Sequence, residues 1–427
     1  MDKIAFYSNT KGFSGSKVYL RDLMLAAVRQ IPKGIVFFCN NDHPLLENSG
    51  LKPFFKDGSI KSVFINPYLF KQRPSEETCE NKIFIRIQEN FFKRAYRSWI
   101  PGNFKLLIGT IREIVRLRKM FQEHPVDLLH FNDTGCEPAV IAARLAGLKC
   151  IIGTFHVSPS CEKETSAWVH KLIEYFSVRS LHGGISVAQT VKEQWMERVG
   201  ADGRFIDVIY NGIDAKKLDQ AIREASTMAD WPFERKSAES VVICTPARLH
   251  FSKGQNHLIS VIPDLLAQFP QTLFVFVGEG PQRAEYESMV KQLNLSSSVF
   301  FMGFRKDVHS VMAYADIIVL PSTGLEALPY VIVEAMAMGK PVVSTRVGGI
   351  PEMITHEKSG YVLEPADSQA LKNVLVSLIA NREMRLSMGA EGKKMSSRFS
   401  IAEMIKNTQI FYQKMLKTNM EFLKYDK

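Results

Sequence analysis

The 427-residue sequence has only six cysteines (Cys39, Cys79, Cys136, Cys150, Cys161 and Cys244), and no two form a Cys-x-x-Cys pair. That scatter excludes a zinc knuckle and a disulfide framework, and a reducing compartment is expected. No apolar run approaches the roughly 18–20 residues that span a bilayer. The opening MDKIAFYSNTKG turns polar after Tyr7, too soon for a signal peptide. The expectation is a soluble or peripheral, cytoplasmic protein. No Asp-x-Asp pair occurs anywhere, so a carboxylate pair for Mg²⁺ on a diphosphate is missing, and no metal or other cofactor is expected. Low-complexity tracts and short-period repeats are absent as well.

What is present is ordinary for a folded protein. A 46% hydrophobic and 23% charged composition, with 26 Gly and 19 Pro, excludes disordered, collagen-like and coiled-coil chains. The length suits two domains or three small ones. With 54 Lys+Arg against 44 Asp+Glu the net charge is +10. Nucleic acid, an acidic membrane surface or phosphorylated small molecules would all suit that charge, as would a surplus of solvated lysines with no partner.

Short β-branched or aromatic runs alternate with amphipathic stretches. Strands are expected at 3–7, 34–39, 59–65, 127–131, 150–155, 184–187 and 206–209, then at 241–245, 272–277, 299–302, 316–320 and 342–345. Continuous apolar strands between helices mean parallel sheets covered on both faces, here two doubly wound α/β domains. Residues 215–240, charged and without a strand, read as the hinge, which sets the domains at 1–214 and 215–399. Residues 400–427 read as one or two amphipathic helices. A polar insertion runs from about 68 to 82, and the aromatic, basic FFKRAYRSWIPGNFK follows. Beyond it, Phe104, Leu107, Ile108, Ile111, Ile114 and Val115 have the spacing of a core-facing helix.

Two loops carry candidate chemistry. In PSTGLEALPYVIVEAMAMGKPVVSTRVGG (321–349), Glu326 lies at the carboxyl end of a strand and Glu334 in the helix that begins near Pro329 and stops at Gly339. Were the interval helical throughout, the two carboxylates would stand about 12 Å apart. That distance suits two hydroxyl-bearing rings joined by a diphosphate, with the phosphates at the helix N-terminus. The alternative for Glu334 is a helix carboxylate without function. In PARLHFSKG (246–254), Arg248 and Lys253 follow another strand. A guanidinium and an ammonium there could bind a diphosphate leaving group; the alternative is two solvated loop cations. Gly278-Glu279-Gly280 follows a strand, but Arg283 stands where a dinucleotide fingerprint needs its third glycine, so a tight turn is expected.

Taken in order, these motifs resemble the retaining glycosyltransferases of family 4 (group 1), of GT-B fold. Glu326 and Glu334 match the family's Glu-x7-Glu. Arg248, Leu249, Lys253 and Gly254 match its Arg-Leu-x3-Lys-Gly, and Val277–Pro281 its V-G-x-G-P turn. Gly348, Gly349 and Glu352 match G-G-x-x-E, and Ile209, Asn211, Gly212, Ile213 and Asp214 match I-x-N-G-I-D. The resemblance covers essentially the whole chain and is strongest from Val242 to Gly360. It implies two Rossmann-like domains facing a cleft, with the C-terminal helix returning to the first domain. It also implies transfer of a hexose-type sugar from a UDP- or GDP-linked donor to a hydroxyl of a glycan or lipid-linked acceptor, with retention and without metal.

Residue by residue, Arg248 and Lys253 would hold the diphosphate, Glu334 the ribose, and Glu326 the transferred sugar. Ala327 and Leu328 would line the donor pocket, and His156, in the first domain's Thr-x-His, would lie across the cleft. His130 reads as structural. The first-strand loop departs from the family's Gly-Gly: Gly15 still permits close backbone approach, but Lys17 stands in place of the usual Glu. Ala327 replaces a Gly and narrows the sugar pocket. The basic stretch from Arg86 to Lys119 suits an anionic membrane or a lipid-diphosphate acceptor on the inner face of a cell membrane. No nucleic-acid module accompanies the charge. Competing readings are another GT-B enzyme, such as an epimerase or a phosphorylase, and an inactive transferase-like binding subunit.

Overall fold

The computed structural model describes residues 3–8, 15–31, 34–39, 43–48, 50–64, 102–132, 137–157, 159, 167–200, 206–225, 240–324 and 326–425. The chain forms two compact units. One comprises Met1–Ile185, Gln194–Asp207 and Gln409–Lys427, the other Ser186–Glu193 and Val208–Thr408.

The first unit carries a seven-stranded sheet of β1 (Ile4–Ser8), β2 (Ile35–Cys39), β3 (Ile60–Phe64), β4 (Leu128–Phe131), β5 (Ile151–Phe155), β6 (Gly183–Ser186) and β7 (Ile206–Val208). Their order is β3-β2-β1-β4-β5-β6-β7, with β1 parallel to both β2 and β4. Every residue of β1 and β5 is buried, as strands covered on both faces require. Leu117 and Phe121 of the helix Gly102–Glu123 pack on Tyr7, Phe38 and Phe131. This helix departs from expectation. It turns Thr110, Leu117 and Phe121 to the core, while Ile108, Ile111 and Val115 are 39%, 52% and 64% exposed. Its apolar residues are more than one buried stripe accommodates.

The second unit carries β8 (Val242–Pro246), β9 (Leu273–Val277), β10 (Val299–Phe301), β11 (Ile317–Leu320), β12 (Val342–Thr345) and β13 (Gly360–Leu363) in the order β10-β9-β8-β11-β12-β13. Leu258, Ile262 and Leu265 pack on one side of Ile243, Phe274 and Phe276, and the cluster extends to Leu371, Leu375 and Leu378. β13 was not expected from the sequence. Four residues beginning with glycine and following His-Glu-Lys-Ser give little strand signal, yet β12 supplies a parallel partner along all four.

The stretch read as a hinge begins instead with a packed helix, Ala215–Ala225, which buries Leu218, Ala221 and Ala225. Residues 226–239 lie outside the described residues. Ile213 bridges to Ser400, and Gly212 lies so close to Ile401 that a Cβ would come within 2.6 Å of its Cα, which ties 208–214 into the second unit. The final segment is a single helix, Ile401–Tyr425. From Gln409 it belongs to the first unit, where Tyr412 donates or accepts at 2.5 Å with His130 Nδ1 and Lys414 pairs with Asp207.

Candidate active site

In the second unit the strand order reverses between β8 and β11, which pair through Ile243–Ile317 and Cys244–Ile318. Open α/β sheets hold ligands at the carboxyl ends of the strands at such a reversal. Arg248 and Lys253 stand on the loop after β8, Glu326 on the loop after β11.

Backbone contacts clamp the loops together. The N–H groups of Thr323 and Gly324 both donate to Ser252 O at 2.9 Å. Gly254 has φ +69°, and a Cβ there would lie 1.9 Å from Pro321 O, so only glycine fits. The clamp sets Lys253 Nζ 2.5 Å from Glu326 Oε1, which also accepts from Ser322 Oγ at 2.7 Å. The Glu326 side chain is 9% exposed, and a carboxylate so buried needs a cation beside it. A third loop closes over Glu326: Gly348 has φ +51°, a Cβ there would lie 1.4 Å from Glu326 O, and Gly349 N–H donates to Ala327 O at 2.9 Å. Leu328 is buried beside it and Ala327 half-buried.

Arg248 is held through its backbone. Leu249 N–H donates to Glu279 O at 3.0 Å, so the Gly278-Glu279-Gly280 turn forms the loop's outer support. Gln255 Nε2 donates to Arg248 O at 2.9 Å from the other side. The guanidinium is exposed and bonds to none of the described residues. Helices Gln255–Gln268 and Tyr330–Ala337 each begin just after a site loop, and neither first turn has a side-chain cap. Their N–H groups therefore remain available to an anion.

Glu334 is the fifth residue of the helix Tyr330–Ala337. Pro329 before it is extended at ψ 116°, so the interval from Glu326 is not helical throughout and the 12 Å spacing does not apply. Glu334 Oε1 accepts from His309 Nε2 at 3.0 Å, on the helix Val308–Tyr314. Nothing in the sequence marked His309 or Ser322 as partners of the two glutamates. Glu352, the acidic residue of the G-G-x-x-E match, accepts from Gln189 N–H at 2.7 Å, Thr190 N–H at 2.8 Å and Thr190 Oγ1 at 2.9 Å, capping the helix Gln189–Val199.

The remaining candidates belong to the first unit. His156 follows β5, half-buried, with Nε2 3.3 Å from Asn132 Oδ1 and its ring edge-on to Tyr19 at 4.9 Å. His130 is fully buried, with Nε2 2.6 Å from Thr154 Oγ1 and its other nitrogen engaged by Tyr412. Gly15 opens the helix Gly15–Gln30, in which Lys17 is 1% exposed; the loop residues 9–14 lie outside the described residues. Residues 86–101 of the basic stretch also lie outside them. Among the described residues no three His, Cys, Asp or Glu side chains gather as a metal site requires, and no helix is long and apolar enough to cross a membrane.

Two parallel-sheet units flanked by helices are the components of a GT-B-type fold. A model described as Glycosyl transferases group 1 matches residues 229–395, and one described as Glycosyltransferase Family 4 matches residues 73–217. The chain is 31% identical over 309 residues to N-acetyl-alpha-D-glucosaminyl L-malate synthase of Bacillus anthracis, covering 70% of this chain and 76% of that protein. It is 25% identical over 318 residues to UDP-Gal:alpha-D-GlcNAc-diphosphoundecaprenol alpha-1,3-galactosyltransferase of Escherichia coli, covering 72% and 80%. The crystal structure of Anabaena HepE in complex with UDP and glucose superposes with a TM-score of 0.71 at 20% identity, covering 97% of this chain and 100% of that one. The chain belongs to the group 1 glycosyltransferases, family 4.

Proposed function

We propose that the protein transfers a hexose-type sugar from a nucleoside diphosphate sugar to a hydroxyl of a glycan or lipid-linked acceptor, with retention and without a metal, in bacterial surface polysaccharide or glycolipid assembly. The observation that carries this reading is the Lys253–Glu326–Ser322 cluster at the β8/β11 switch point, with Arg248 exposed on the same loop. The donor's diphosphate lies against Arg248, Lys253 and the uncapped helix N-termini. An ammonium has three donors, so Lys253 keeps Glu326 while donating to a phosphate oxygen. Glu326 faces the sugar and Glu334 the ribose, with Ala327 and Leu328 beside them.

As the bond from the anomeric carbon to the phosphate oxygen breaks, the acceptor oxygen bonds on the same face and its proton passes to the departing phosphate. Arg248 and Lys253 stabilise the charge that develops there. The names of the matched E. coli enzyme and of the HepE complex, with UDP-Gal and with UDP, support a nucleotide-sugar donor, and the former supports a lipid-linked acceptor. The exposed Ile111 and Val115, with Leu172 and Phe176 on the helix Ala167–Ser180, support contact with an anionic membrane.

A screen of UDP- and GDP-sugars, with and without a polyprenyl-diphosphate-linked acceptor and with and without EDTA, tests the reading. Sugar transfer that survives chelation and gives a product of unchanged anomeric configuration by NMR is expected. Epimerised donor, phosphorolysis, nucleotide binding without turnover, or activity abolished by EDTA and restored by Mg²⁺ would each overturn the corresponding part.

A further inference from the structure

The pair formed by Glu334 and His309 joins two helices 25 residues apart in sequence, and no motif of the chain includes the histidine. His309 Nε2 lies 3.0 Å from Glu334 Oε1, with side-chain exposures of 32% and 18%. A carboxylate on a helix has rotamer freedom that a ligand must remove on binding. Fixing one of its oxygens with an imidazole N–H leaves the other aimed and removes that entropy beforehand.

We propose that His309 is a positioning residue for donor binding: it holds Glu334 oriented toward the ribose, most firmly in its protonated form. This rests on the reading of Glu334 as the ribose-binding carboxylate. The other charge bearing on His309 is Lys217, from the helix Ala215–Ala225 packed against the same helix. The third element there, β8, brings only the thiol of Cys244, which burial keeps protonated. The bond to Glu334 outweighs burial and Lys217 and raises the imidazole above its ordinary value of 6.5. The imidazolium is therefore present at and below that ordinary value and is lost as pH rises through the raised one. Above it the carboxylate keeps at most a neutral hydrogen bond and is held less firmly, so donor affinity falls with rising pH.

Calorimetric titration of UDP and GDP into the full chain, from about pH 6 to about pH 9, is the test. Wild-type affinity should decline across that range. His309→Leu should bind the preferred diphosphate about tenfold more weakly at the acid end, with no pH step. His309→Gln, whose amide nitrogen sits near the lost Nε2, should recover most of the affinity and also lack the step. In turnover assays the effect of His309→Leu should fall on donor KM rather than kcat. With the 2′,3′-dideoxy diphosphate of the preferred base, wild type and His309→Leu should differ by less than the ribose ligand shows. Equal affinity of wild type and His309→Leu for the ribonucleotide, or no recovery in His309→Gln, overturns the proposal. An equal penalty on the dideoxy ligand does so as well. Glu334→Gln separates the two readings: unchanged nucleotide affinity there removes the ribose assignment, whereas a loss there without one in His309→Leu removes only the role of His309.

Discussion

Lys253 and Glu326 neutralise one another at 2.5 Å, so the uncompensated positive charge that this loop would offer a diphosphate is the exposed Arg248. The two cations should therefore fail differently when removed. Arg248→Ala should lower kcat by about 10²-fold or more, the cost of one preorganised donor to developing charge, and leave the thermal midpoint near wild type. Lys253→Ala should lower kcat similarly and also lower the midpoint, because it strands a buried carboxylate. Steady-state turnover and thermal unfolding of both variants check this; wild-type turnover would make Arg248 a solvated loop cation and Lys253 only the structural partner of Glu326. Glu326→Gln, which keeps the shape but not the charge, should act mainly on kcat, since the sugar and not the ribose gains positive charge in the transition state. The placing of Arg248, Lys253 and Glu326 just past β8 and β11 was legible because each follows an apolar strand run, and that of Glu334 because it lies in the helix after Pro329. His309 was not, because side-chain pairing between separate segments leaves no periodicity to read, and Ser322 was not because its bond to Glu326, four residues on, forms in an irregular loop with no fixed period.

At the level of elements, the site is assembled by backbone close to backbone. Gly254 and Gly348 hold left-handed conformations at points where a Cβ would strike Pro321 O and Glu326 O. Gly254→Ala and Gly348→Ala should each lower unfolding free energy by about 1–3 kcal/mol, the range for a non-glycine residue forced into that conformation. Activity should fall further than stability, since the loops carrying Lys253 and Glu326 must separate. Urea denaturation alongside turnover measures both, and an unchanged midpoint in either variant would show that the clamp gives way without cost. Twelve of the strands were legible from runs of apolar residues, with ends shifted by a residue or two. β13 escaped because its stability comes from pairing with β12 and not from its own four residues. The helix Gly102–Glu123 was placed correctly but its buried side only in part: Ile114 packs on the core while Ile108, Ile111 and Val115 do not, since apolar residues on both sides satisfy the same periodicity and only the sheet decides between them.

For the molecule as a whole, the net charge of +10 and the exposed apolar residues of the first unit bear on the same question. Ile108, Ile111 and Val115 stand among Arg112, Arg118 and Lys119, and Leu172 and Phe176 lie on a helix of the same unit. Apolar side chains interleaved with cations suit an anionic bilayer surface. Co-sedimentation with vesicles containing phosphatidylglycerol should exceed that with neutral phosphatidylcholine vesicles and weaken as salt rises. Ile111→Asp combined with Phe176→Asp should reduce it several-fold while donor binding is kept. Equal partition to both vesicle types, or none to either at low salt, would remove the membrane from the account.

The contact between His130 and Tyr412 spans 282 residues of sequence, and with the Lys414–Asp207 pair it joins the last helix from Gln409 to the first unit, where Phe411, Tyr412 and Met415 are buried. On the ribosome this has a consequence for timing. At roughly 5–20 residues per second, the strands of the first unit emerge tens of seconds before the segment that fills the space beside β4. Until then the nascent first unit has an open seam at His130 and Gly183, where Tyr412 and Met415 will later sit. The second unit is available nearly whole by that time, so the half of the chain made first is the half completed last.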